Sequence, residues 1–429
     1  MKVVRIAIIV LILSGLSEGT MASSVGAGVA VVEITPPVTQ KLAGYRAERR
    51  AQKVHDPLFA RILLLRTEDV SLAIIASDLY HLQLPGLVDR IGKELRIKNT
   101  ILTGSHNHSA PALSSMNSGT AWANETERKI LKGVAAANEH LFSAKIAASQ
   151  GSLVAGHNNR IVKDDGTVQE RWMNPNEEST GPIDPTVTVL RVSEERTGKL
   201  RAILVNYSCQ PAILGPDSHE ISAEYPGALA RFIQAELGND VACLFTTGAS
   251  AQICPFESRL SGPGAFVVIE KMGQRLGREV VRLVRNSAIE AVIDIRVQQR
   301  RISFSKQNGS EDPSLVISTV LINESIALVA VPAEMFVEFQ MSLNMRSPIP
   351  RTVMLSNAYS SGPLSMGTIP TIAAAVEGGF GSDSDTVSWI GAGEAIVDEA
   401  IIQLYWFLGK LDDLPRGRRV VELPDLRSP

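Results

Sequence analysis

The stretch Ile101-Leu102-Thr103-Gly104-Ser105-His106-Asn107-His108-Ser109-Ala110-Pro111 carries the residue types best suited to chemistry. An apolar, strand-like run leads into His-x-His. On a strand, residues two apart face the same way, so both imidazoles are expected to project into one site just past the strand end. A neutral imidazole can hold zinc or shuttle a proton near neutral pH. The chain has seven histidines in 429 residues, so two placed this way favour a site over the competing reading, a His-rich turn in solvent.

Other reactive groups stand at the ends of apolar runs. Asp78 ends one. Arg160 sits in the polar loop His157-Asn158-Asn159-Arg160, and Gln210 follows the run ending at Tyr207. Cys254 closes the loop from Thr246 to Pro255, and Glu334 follows Val331-Pro332-Ala333. In layered α/β folds, groups at strand ends and helix starts converge on a cleft. Each also has a structural reading. Asp78 can cap a helix or bind a turn, and Arg160 can pair with Asp164 or Asp165. Glu334 suits a helix N-terminus, and Cys254 can be a small core residue.

The elements that must position these groups alternate between strand and helix. Strands are expected at Val29 to Ile34, Ala60 to Leu65, Ser71 to Ser77, Val187 to Val192, Leu200 to Tyr207 and Val241 to Phe245. Later ones fall at Val292 to Ser303, Leu315 to Ile322, Ile326 to Val331 and Thr352 to Ser356. Helical spacing marks Leu87 to Leu95, Glu125 to Leu141, Pro226 to Leu237, Val267 to Val284, Glu334 to Met345 and Ala392 to Leu408. Hairpin-like pairs among the crossovers predict an α/β layered domain with mixed β-sheets flanked by helices.

Composition bounds the function. The hydrophobic fraction is 45%, the charged fraction 20% and the net charge −3, which is globular and gives no electrostatic reason to bind nucleic acid. Lys2 and Arg5 precede the apolar run from Ile6 to Leu13, and Thr20-Met21-Ala22 suits cleavage. Residues 1–22 therefore read as a signal peptide, since the run is shorter than the roughly 20 apolar residues of a membrane span. A secreted or periplasmic protein is expected. Its main body is 25–411, followed by a polar tail at 412–429. Three cysteines, Cys209, Cys243 and Cys254, allow one disulfide and one free thiol.

Taken together, the blocks resemble the N-terminal catalytic domain of neutral/alkaline non-lysosomal ceramidases. The resemblance rests on Gly26-Ala27-Gly28-Val29-Ala30 to Glu33-Ile34-Thr35-Pro36-Pro37, on Leu42-Ala43-Gly44-Tyr45 and on His55-Asp56-Pro57-Leu58-Phe59-Ala60-Arg61. Ser105-His106-Asn107-His108-Ser109-Ala110-Pro111 is similar to the family's Thr-His-Thr-His-Ser-Gly-Pro. Gly181-Pro182-Ile183-Asp184-Pro185 and Ile221-Ser222-Ala223-Glu224-Tyr225-Pro226-Gly227 are further similar blocks. The family's extra C-terminal domain is expected to be absent.

The resemblance implies a zinc amidase. It makes His106 and Glu334 zinc ligands, and sets His108 and Arg160 against the reacting amide. It implies a small-molecule or lipid N-acyl substrate and peripheral contact with a membrane; oligomeric state is left open. Four positions depart from the pattern. Gln210 stands where the second zinc histidine is expected, so it becomes a substrate-binding candidate. Thr368 takes the position of the tyrosine ligand, with Tyr359 as the alternative ligand. Cys254 replaces the catalytic serine, and Gln252 the aspartate of that loop. Three readings follow: an N-acyl amide hydrolase with an altered zinc site, a degenerate binder of a lipid or sugar-like ligand, or a cysteine hydrolase using Cys254 with His108.

Overall fold

The computed structural model describes residues 25–114, 119–288, 290–291, 294–304, 314–363, 367–382 and 390–411. The proposed signal peptide and the polar tail lie outside the described residues. One ten-stranded sheet dominates. In spatial order it runs Ala242–Thr247, Leu200–Tyr207, Thr186–Glu194, Phe142–Ser152, Val25–Glu33, Phe59–Arg66, Ser71–Ser77, Asn99–Gly104 and Ala358–Tyr359. Glu290–Ala291 adds to Phe142–Ser152 off this path. Most neighbours are antiparallel. Leu200–Tyr207 runs parallel to Ala242–Thr247, and Ser71–Ser77 parallel to Asn99–Gly104. A second sheet of four strands contains Ile295–Ser303, Ser314–Ile322, Ile326–Ala330 and Arg351–Leu355. Mixed sheets flanked by helices are thus what the alternating pattern predicts.

The large sheet curls so that its two halves face each other. Leu63, Leu72 and Ile74 from one half share a core with Leu190, Leu204 and Leu244 from the other, and with Val320 and Leu328 of the second sheet. Helices cover the outer faces. Pro263–Asn286 buries Ala265, Ile269, Met272, Leu276 and Val280, a spacing of three and four that places them on one stripe. Ala121–Glu139 begins at Thr120, whose hydroxyl accepts from the Ala123 N–H at 3.2 Å, a conventional N-cap. It lies so close to the first strand that a Cβ on Gly28 would stand 1.9 Å from the Ala137 carbonyl oxygen. No helix among the described residues is long and apolar enough to cross a membrane.

Several expectations need correction. Phe142–Ser152 is a full strand that hydrophobic patterning does not reveal. Glu334 is not helical: it lies on the short strand Glu334–Met335, and the helix runs Val337–Arg346. No disulfide forms, since Cys209, Cys243 and Cys254 are all free and buried. Asp78 is an ion-pair residue. Its carboxylate accepts from the Arg61 guanidinium at 2.7 Å and the Phe59 N–H at 2.8 Å, with both side chains of the pair buried.

Glu224, in the block Ile221 to Gly227, is fully buried. One carboxyl oxygen accepts from the Leu214 N–H at 2.7 Å, and the other has no partner among the described residues. Burial pushes its pKa from 4.5 up to about 8. The folded state therefore binds this proton more tightly than the unfolded chain. The resulting stability is complete below about pH 4.5 and is lost as pH rises through about 8. Glu224→Gln should flatten this dependence, so that the variant's melting temperature gains on the native protein's between pH 5 and 8.5. Parallel melting curves across that range would contradict the assignment.

Candidate active site

The two histidines converge, but not by strand alternation. The strand ends at Gly104, and His106 has a left-handed backbone with φ of 62°. The loop turns there, and its bonds fix the turn. The Asn107 side chain points away from the cleft and donates to the Asp78 and Ser222 carbonyls at 3.1 and 2.6 Å. Its oxygen accepts from the Ser109 N–H at 2.8 Å. His108 donates from its backbone to the Pro211 carbonyl at 3.1 Å, and its own carbonyl accepts from buried Arg49 at 2.6 Å. The two imidazole centroids end 5.3 Å apart. Gly44 is required beside them: its φ is +90°, and a Cβ there would stand 2.5 Å from the His108 ring.

Glu334 reaches the site from the second sheet's side. Its strand pairs in parallel with Thr368–Ile369, Glu334 opposite Thr368. That register lets the Thr368 hydroxyl donate to one Glu334 carboxylate oxygen at 2.7 Å. The other oxygen lies 3.0 Å from His106 Nε2 and also accepts from Gln210 Nε2. The Gln210 amide has a defined orientation. Its nitrogen donates to the Ala251 carbonyl at 2.8 Å as well as to Glu334. Turning the amide over would set its oxygen against two acceptors.

This arrangement decides whether zinc fits. A structural or catalytic zinc site takes three or four lone-pair donors from His, Cys, Asp or Glu. Of the four positions compared with the family's ligands, His106, Gln210, Glu334 and Thr368, only His106 and Glu334 are of these types. Gln210 presents N–H groups, and Thr368 donates its hydroxyl proton to the carboxylate. Among the described residues no group of three or more His, Cys, Asp or Glu is placed to hold a metal ion. The donor set at this cleft does not fit a four-coordinate zinc. Gln210→His is therefore expected to raise zinc retained after dialysis against chelator, measured by elemental analysis. Stoichiometric zinc retained by the unaltered protein would contradict this.

Electrostatics separates the acidic and basic groups. Burial alone would raise the Glu334 carboxyl, but attraction to His106 and the bonds from His106 and Thr368 prevail and hold it at about 2. It is an anion throughout the working range. Burial, and then repulsion by His106, drive His108 well below the usual histidine value. His108 is thus neutral, and neither ring nitrogen has a partner among the described residues. Tyr80 and His81, just after the Asp78 strand end, complete the surroundings. The Tyr80 ring lies 4.1 Å from that of His106, and burial holds His81 neutral with a pKa of about 3.

The cleft opens into a cavity of about 780 Å³ lined by His106, His108, Gln210, Glu334, Thr368 and Tyr80. Tyr45, Trp172, Arg259 and Phe380 line it too, with the Tyr45 ring 4.8 Å from that of His108. Sequence reasoning missed these four; Tyr45 stood in a quoted block, and the others carry no motif. Three expected residues lie outside this cavity. Arg160 is buried, its guanidinium donating to the Gly378 and Phe380 carbonyls at 2.6 and 2.8 Å and to Glu377 at 3.0 Å. It braces the loop that carries Phe380. Cys254 is buried on a short strand, with its sulfur 3.7 Å from His157 Nε2. Burial pushes its thiol up to about 12, so it is not a thiolate, and its neighbour is His157, not His108. The Tyr359 hydroxyl donates to the Gly362 carbonyl at 3.0 Å while its ring packs in the core. Thr368 takes the place beside Glu334.

The layered mixed-sheet fold is a ceramidase-like one. Two solved structures share it. The chain is similar to the neutral ceramidase from Pseudomonas aeruginosa, at 14% identity and a TM-score of 0.73, over 90% of this chain and 75% of that one. It is similar to a ceramidase complexed with C2, at 13% identity and a TM-score of 0.73, over 91% and 76% of the two chains. No family model matches the sequence, and no curated protein matches it. The fold is thus ceramidase-like, in a divergent form.

Proposed function

We propose that this protein is a ceramidase-like hydrolase that cleaves an N-acyl amide bond with its own side chains. The fold it shares with neutral ceramidases supports the reaction class. The observation that carries the reading is His108, a neutral imidazole at the cavity with neither nitrogen partnered among the described residues. A neutral imidazole N–H can polarise the amide carbonyl and stabilise the oxyanion as water adds. His106 is the proposed base. In its neutral form, with Nε2–H turned to Glu334, Nδ1 keeps a lone pair and has no partner among the described residues. The carboxylate orients the ring and stabilises the imidazolium that forms, as a buried acid does in a hydrolytic triad. Water loses one proton to His106, its oxygen bonds to the carbonyl carbon, and that proton passes to the departing nitrogen. A carboxylic acid and an amine result. The substrate is proposed to be a lipid or small N-acyl amide. Export, supported by Lys2, Arg5 and the run from Ile6 to Leu13, would meet it outside the cytoplasm.

A second reading draws on Gln210. Its amide clamps Glu334 where the resemblance implies a zinc ligand, which also suits a protein that binds N-acyl ligands without cleaving them. Release of fatty acid and amine from N-acyl amides, followed by mass spectrometry, separates the two. Equimolar release supports hydrolysis. Saturable binding without release supports the binder.

A further inference from the structure

We propose that Arg259 reads a negative charge on the ligand, so that the cavity selects N-acyl amides whose polar end carries a carboxylate. This rests on the reading of the cleft as an N-acyl site and adds the class of head group. Arg259 lines the cavity with its guanidinium carbon 3.4 Å from the Trp172 ring centroid and 5.8 Å from that of Tyr45. A guanidinium lying on an indole is held in plane, with its N–H edge left for a planar acceptor. Its side chain makes no hydrogen bond or ion pair among the described residues. Arg46 also lines the cavity, and two further arginines near it are used internally: Arg49 by the Ser218, Ala43 and His108 carbonyls, Arg160 by the Phe380 loop.

None of the nearby acids forms an ion pair with Arg259 among the described residues, although Glu170 attracts it through space. Glu334 is satisfied by His106, Gln210 and Thr368. Glu170 shares the cavity wall, but its carboxylate accepts from the Trp172 indole N–H at 3.0 Å and so steadies the surface on which Arg259 lies. The backbone also commits Arg259 to this place. It has a left-handed φ of 57°, uncommon for a residue with a side chain. Its N–H is tied to the Ala212 carbonyl at 3.1 Å, and that of Leu260 to the Ile213 carbonyl at 2.7 Å. A carboxylate matches the guanidinium in shape and charge through two parallel hydrogen bonds. A neutral amide head offers no such match.

Calorimetric titration with N-lauroylglycine and with its neutral amide, N-lauroylglycinamide, tests the proposal. Both probes share one acyl chain. The unaltered protein should bind the carboxylate about 10- to 100-fold more tightly, as a charge-assisted pair warrants. Arg259→Gln should erase the difference between the probes, and Arg259→Lys should restore part of it. Equal affinities in the unaltered protein, an undiminished difference in Arg259→Gln, or binding of neither probe would overturn it. Turnover of the same probes is read separately. Charge-selective binding without product leaves Arg259 assigned and removes the hydrolase reading. Cleavage of both probes with equal KM does the reverse.

Discussion

Replacing His108 with alanine is expected to slow N-acyl amide hydrolysis by about 10²–10³-fold, the usual cost of removing one oxyanion-stabilising donor. The fold should survive. Neither ring nitrogen has a partner among the described residues, and the loop is held by the His108 backbone, whose N–H donates to the Pro211 carbonyl and whose carbonyl accepts from the Arg49 guanidinium, and by the Asn107 side chain. What is lost is edge contact with Tyr45 and Tyr80. A melting temperature near that of the native protein with activity reduced a hundredfold or more is the expected pair of results. Unchanged turnover in a folded variant would place the chemistry elsewhere. His106→Ala is a different perturbation. It removes a partner of buried Glu334, so it should reduce both activity and stability.

The largest effect on stability is expected at Asp78. Asp78→Ala leaves the Arg61 guanidinium buried without its carboxylate, and removes the acceptor of the Phe59 N–H. Breaking a buried pair from one side costs about 3–5 kcal/mol. Replacing both members with apolar residues of similar volume should recover much of that loss, because no uncompensated charge remains. Urea denaturation of the single and double variants gives the numbers. A loss below about 1 kcal/mol for Asp78→Ala, typical of an exposed pair, would show that the pair does not hold these strands together. The His106 turn is involved as well, since the Asp78 carbonyl anchors Asn107.

The sequence made the histidine loop and the mixed layering legible, because apolar runs ending in polar groups mark strand ends. It did so at His106 for an incomplete reason. The pair meets through a left-handed turn that only the Asn107 bonds explain. Glu334, Gln210 and Thr368 could be placed together by resemblance, but their hydrogen-bond directions could not, and those directions decide the metal question. Arg160, Cys254 and Tyr359 show the limit of order along a chain. They lie in the expected segments, yet packing turns them onto a loop carbonyl, a core strand and a turn. Phe142–Ser152 escaped notice because its alanines and serines lack the β-branched, alternating pattern of a strand. Its pairing with Thr186–Glu194 supplies what local propensity does not.

The proposed chemistry depends on Glu334 being caged by His106, Gln210 and Thr368 in place of a metal. The most direct test is the rate of N-acyl amide hydrolysis by the purified protein before and after exhaustive treatment with a zinc chelator, with residual metal measured on the same samples. An unchanged rate at a metal content far below one zinc per chain is the expected result. Activity that falls with the metal and returns when zinc is added back would contradict it.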